Sequence, residues 1–153
     1  GELCGDTPHE SFDDAERHFR RLGEIYRSVY GETHYLVGIA TSNLAGVYVA
    51  RGDFITAEKM YRAAVATFSE TQSREHLNTG IARIKLGRAL LRQGRIAEAE
   101  IESKAGYDIV AKQTAPTVSW LKTAREDLVA AYEALHRPED AAHYRAEAAR
   151  IGK

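Results

Sequence analysis

Asn43-Leu44-Ala45-Gly46-Val47-Tyr48 is the stretch that decides the fold, because its columns return 42 positions later and again 42 after that. Leu44 is matched by Leu86 and Leu128, and Tyr48 by Leu90 and Tyr132. Ala57 is matched by Ala99 and Ala141, and Ala64 by Gly106 and Ala148, a column of small residues. Gly52 and Gly94 share a turn position at which the third copy has His136, while Gly38 pairs with Gly80 and His34 with His76. A period of this length marks a stack of supersecondary units. Each unit divides into two helices. Ile39, Leu44, Val47 and Tyr48 stand at helical spacing, Gly52-Asp53 breaks the run, and Ala57, Met60, Tyr61, Ala64, Val65 and Phe68 form a second stripe. No stretch alternates with the period of two that a half-buried strand requires.

Working outward, the pattern predicts an all-α, right-handed solenoid of antiparallel helix pairs with about seven helices. Residues 1–10 read as a flexible tail and 11–30 as the orphan second helix of a preceding unit, since Ala15, Phe19 and Leu22 lie 42 positions before Ala57, Tyr61 and Ala64. Complete units follow at 34–70, 76–113 and 117–151. A helix without its companion leaves apolar surface uncovered, and Phe19, Ile25 and Val29 are the candidates for a homodimer face. Upstream residues, or the tail around Leu3, are the alternative cover. The chain opens on Gly1 and its one methionine is Met60, so it is read as a piece of a longer protein.

Composition narrows the function. The 153 residues are 44% hydrophobic and 28% charged, ordinary for a folded domain. A formal charge of −1 supplies no field for gripping a phosphate backbone, so nucleic acid is not an expected partner. No apolar run approaches the ~20 residues of a membrane span. Cys4 is the one cysteine, which leaves no internal disulfide framework. The expected compartment is the cytoplasm.

At these columns the sequence resembles the tetratricopeptide repeat family, whose first helix carries Leu-Gly-x-x-Tyr and whose second carries Ala-x-x-x-Phe. The matches are Leu44-Ala45-x-x-Tyr48, Leu86-Gly87-x-x-Leu90 and Leu128-Val129-x-x-Tyr132, then Ala15-x-x-x-Phe19 and Ala57-x-x-x-Tyr61. The long period and the run Tyr30-Gly31-Glu32-Thr33-His34 resemble the kinesin-light-chain-like subtype, of bacterial appearance here. The second-helix aromatic fades to Ser103 and then Arg145, as in a C-terminal capping repeat whose outer face meets water.

The resemblance implies a protein–protein interaction scaffold that holds a peptide in a groove lined by the first helices. It implies Ile39, Asn43, Gly46 and Ala50 on that face, then Ile81, Lys85, Arg88 and Arg92, then Thr123, Asp127, Ala130 and Ala134. Lys85, Arg88 and Arg92 form a basic strip suited to acidic side chains or a C-terminal carboxylate. Asp127 facing Lys85, and Glu126 facing Arg88, are the pairings that compete with such a ligand. Trp120 is expected in the core. A homo-oligomerisation module and a regulatory tail of an upstream signalling enzyme are the other readings.

No catalytic residue, cofactor site or metal site is expected. The six histidines form no i,i+4 pair and have no Cys-x-x-Cys partner. His34 and His76, near helix starts, read as structural. Carboxylates such as Asp13, Asp14, Glu16, Glu98, Glu100 and Glu102 read as solvated helix faces.

Overall fold

The computed structural model describes residues 8–152, with side chains from residue 11 onward. These residues form seven helices and no strand: α1 (Pro8–Tyr30), α2 (Tyr35–Ala50), α3 (Phe54–Thr71), α4 (Leu77–Arg92), α5 (Ile96–Ala111), α6 (Ser119–Ala134) and α7 (Pro138–Ile151). Helix α1 begins at Pro8, inside the segment expected as a tail, where the proline needs no amide partner. Residues 1–7, with Leu3 and Cys4, lie outside the described residues.

The turns inside the three pairs are built alike. Asp53 N–H donates to the Tyr48 carbonyl at 2.9 Å, Arg95 N–H to Leu90 at 3.1 Å, and Arg137 N–H to Tyr132 at 2.8 Å. These are the outer hydrogen bonds of the Schellman end, which needs a left-handed residue just beyond the helix. Gly52 (φ 82°) and Gly94 (φ 78°) take that conformation without cost, whereas His136 takes it at φ 55°.

The links into α2 and α4 are capped by histidine, whereas α6 follows Val118 without a side-chain cap. His34 Nδ1 accepts from Leu36 N–H at 3.1 Å and His76 Nδ1 from Asn78 N–H at 3.0 Å. The His34 ring is also stacked between Tyr30 and Tyr35, with centroids 4.3 and 4.7 Å away. The recurring histidine is therefore an N-cap.

Each helix packs on the next along the chain, and α4 also packs on α6. One buried cluster joins α2 to α5 through Ala45, Tyr61, Phe68, Leu86 and Leu90. A second joins α4 to α7 through Ile84, Val110, Leu121, Leu128 and Tyr144. There Tyr144 stands edge-on to Tyr107 at 5.3 Å and stacks on Tyr132 at 6.0 Å.

Helices α4 and α5 approach most closely. A Cβ on Gly106 would lie 2.6 Å from the Gly80 carbonyl oxygen and 2.8 Å from the Ile84 nitrogen. One on Gly87 would lie 2.9 Å from the Ser103 backbone nitrogen. This corrects the reading of the fading aromatic. Ser103 is buried, and it is small because α4 leaves no room where Tyr61 packs in the preceding pair. Water-facing capping does not explain it. In the last pair the corresponding positions are Val129 and Arg145, and Arg145 reaches out to Glu133. Between α6 and α7 lies a groove of about 640 Å³ lined by Val129, Ala130, Tyr144, Ala148 and Ile151 among others.

Candidate functional site

Helices α2, α4 and α6 are the first helices of the three pairs, and the residues expected to line the groove stand on them. Asn43, Ala50, Arg92, Ala130 and Ala134 are exposed, while Ile39, Gly46, Ile81, Lys85, Arg88 and Thr123 are half-buried. Asp127 is buried at 6% exposure. Two of these side chains serve the core as well. Ile39 packs against the first cluster and Ile81 against the second.

The α4–α6 contact is where charge gathers. Arg88 Nε stands 3.4 Å from Asp127 Oδ2. That is ion-pair distance, but the alignment of a hydrogen bond is missing: both atoms are sealed from solvent and neither has a hydrogen-bond partner. Burial is the main influence on the Asp127 carboxyl and raises it to about 6. Arg88 and Arg92 pull it back down, and Glu126 opposes them. Lys85 does not pair with Asp127. Its ammonium lies 4.8 Å from the centroid of the Trp120 ring, and burial lowers its pKa. Neither expected pairing, Lys85 with Asp127 or Arg88 with Glu126, forms; Asp127 instead meets Arg88, one turn along α4 from Lys85. Residues meeting across α4 and α6 are separated by 39 positions for Arg88–Asp127 and by 35 for Lys85–Trp120, not by the full period.

Trp120 is not a core residue. It is 38% exposed, because Leu121, Ala124 and Leu128 occupy the buried stripe of α6 and its neighbouring position points aside toward α4. The arrangement offers a cation over an aromatic plate, a second cation tied to a buried carboxylate, and Arg92 exposed beside them.

The front-face residues are divided. Ile25 and Val29 are exposed, at 43% and 65%. Phe19 is half-buried and turned toward the following unit, lining a groove with Leu44 of α2 and Met60 of α3.

A further constellation links successive units. Tyr48 Oη donates to Glu16 Oε1 at 2.6 Å and Arg51 Nη1 to Glu16 Oε2 at 2.6 Å. In the next unit Arg95 Nη1 donates to Glu58 Oε1 at 2.5 Å and Gln93 Nε2 to the same oxygen at 3.1 Å. In the last, Tyr132 Oη donates to Glu100 Oε1 at 2.6 Å, with Arg137 close by. Glu16, Glu58 and Glu100 are spaced by the repeat period, which is the signal that the solvated-face reading overlooked. The hydrogen bond from Tyr48, followed by that from Arg51, holds the Glu16 carboxyl down to about 2. Among the described residues no group of three or more His, Cys, Asp or Glu could hold a metal ion, and no helix is long and apolar enough to cross a membrane.

Paired helices stacked in register, stapled unit to unit and lined on one side by first helices, define an α-solenoid of helical-hairpin repeats. The tetratricopeptide repeat model matches residues 10–69 and 36–112, and the chain belongs to that family. Repeats of this kind generally mediate protein–protein interaction and are typically non-enzymatic. Solved structures with the same fold include BtubC (BKLC) from P. vanneervenii, with TM-score 0.81, 20% identity and coverage of 92% of this chain. The match spans 56% of that protein, so this chain corresponds to little more than half its length. Two crystal structures of a Podosopora anserina protein, named for its nearly identical kinesin light chain TPR-like repeats, give TM-scores of 0.80 and 0.78. Each is 20% identical, and the match covers 94% of this chain and 68% of that one. No curated protein matches the chain.

Proposed function

We propose that the chain is a non-catalytic interaction module of the cytoplasm that holds an acidic peptide segment along its first-helix face. The observation that carries this reading is the imbalance of charge between α4 and α6. Lys85, Arg88 and Arg92 stand on one side of α4, and Asp127, the carboxylate that meets Arg88, is buried. An acidic side chain or a C-terminal carboxylate would find three donors there, with Asn43 and Thr123 available on the neighbouring first helices for peptide backbone. Desolvation strengthens such contacts at the half-buried Lys85, whose charge is held against Trp120.

The test is recovery of ligands from a peptide library by the wild-type protein and by Lys85→Glu/Arg88→Glu. Loss of acidic ligands in the double variant supports the groove. Equal recovery of the same ligands by both proteins discards it.

A second reading, pairing of two chains through α1, is favoured by the exposed Ile25 and Val29. Light scattering over a range of concentrations tests it, with Ile25→Asp/Val29→Asp as the control. A wild-type protein that stays monomeric throughout removes this reading.

A further inference from the structure

The Arg88–Asp127 contact has a property that ordinary surface ion pairs lack. An exposed pair exchanges freely with water and contributes little in either direction. Here the Asp127 carboxylate is buried at the α4–α6 interface, its Oδ2 has no hydrogen bond, and the Arg88 Nε facing it at 3.4 Å has none either. A buried charge whose partner supplies attraction but no aligned hydrogen bond is poorly compensated for leaving water. The side chain of Arg88 is still 37% exposed, so its guanidinium has a route toward the open face, whereas Asp127 has none. Of the two, Arg88 is the member with access to solvent.

The charged groups facing Asp127 are Arg88 and Arg92 from α4 and Glu126 on its own helix. Lys85 is engaged elsewhere, over Trp120. Losing the Asp127 charge therefore removes the buried neutralising partner from this strip and leaves Lys85, Arg88 and Arg92 facing a ligand together. We propose that Asp127 gates the first-helix face: uptake of one proton by its carboxyl releases Arg88 to an acidic ligand, so that the face binds more tightly in mildly acidic solution. This rests on the acidic-peptide reading above and adds its regulation. The burial that raises the carboxyl puts the change between neutral pH and about 6, within the range cells visit.

Two measurements test it on the whole chain. The first needs no ligand: a carbon-detected NMR titration of the Asp127 carboxyl, which should change near pH 6. A midpoint in the ordinary aspartate range, about 4, overturns the gate. The second is fluorescence anisotropy with a labelled hexa-aspartate peptide at constant ionic strength, from pH 7.5 to 5.0. Wild-type affinity should tighten by roughly threefold to tenfold, the gain expected for one added partly screened charge. Asp127→Asn should bind at pH 7.5 as tightly as wild type at pH 5.0 and keep that affinity throughout. Any pH effect that does not involve Asp127 is common to both proteins, so only the difference between the two profiles reports on Asp127. Parallel profiles overturn the gate while leaving the groove intact. Absence of hexa-aspartate binding at every pH, in both proteins, overturns groove and gate together.

Discussion

Gly106→Ala separates packing from helix propensity, because the two act in opposite directions at this position. In an exposed helix interior, alanine for glycine stabilises by about 1 kcal/mol. At Gly106 the added Cβ would meet the Gly80 carbonyl oxygen at 2.6 Å and the Ile84 nitrogen at 2.8 Å. Both are backbone atoms of α4, so no rotamer change relieves the contact; the two helices must separate. Overpacking of a tight interior costs typically ~1–3 kcal/mol, and forced backbone displacement belongs at the upper end. The net expectation is a loss of roughly 1–2 kcal/mol, or a fall in Tm of roughly 2–8 °C in a chain of this size. Gly46→Ala is the matched control, since its Cβ would meet only the Tyr61 hydroxyl at 3.9 Å, an ordinary contact. It should raise Tm by a few degrees. Circular dichroism melts of the three proteins, with amide hydrogen exchange to locate the loosened helices, provide the assay. A Gly106→Ala protein as stable as wild type would refute the claim that α4 and α5 touch through their backbones.

Other outcomes follow from the capping and stapling groups. His136→Gly should stabilise by roughly 0.5–1 kcal/mol, because the left-handed turn position costs a histidine more than a glycine; a thermal melt reads it. His76→Ala should lose about 1 kcal/mol as the cap on Asn78 N–H disappears, and His76→Asn should recover most of it. Glu16 has a folded pKa depressed to about 2, chiefly by the Tyr48 hydrogen bond, so its stabilisation is present above the unfolded value of 4.5 and lost as pH falls toward 2. Glu16→Gln should accordingly flatten the acid-unfolding curve between pH 4.5 and 2, and an unchanged curve would show that the staple contributes nothing. Asp127 has the opposite sign. Its raised carboxyl means that stability falls as pH rises from 3.8 through about 6 and stays lowered above, so Asp127→Asn should be at least as stable as wild type at pH 7.5.

Much of this architecture can be read from one chain because local signals recur. Periodic apolar positions set the helices, glycines at 52 and 94 set the turns, and histidines at 34 and 76 stand at equivalent starts. Each depends on neighbours within a turn or two, so their spacing along the chain is enough. The stapling column Glu16, Glu58 and Glu100 was equally present at the repeat spacing, yet its meaning lay in partners 32 to 37 residues away.

The sequence by itself determined seven helices, their pairing and the family. Only the tertiary structure decided which side chains meet: Arg88 with Asp127, Lys85 with Trp120, and Ser103 with α4. The physical reason is that helix formation is governed by hydrogen bonds and apolar spacing over a few residues, while contacts between helices depend on how far one slides along another. A slide of a single turn, ~5 Å, exchanges every ion-pair partner without altering any local pattern.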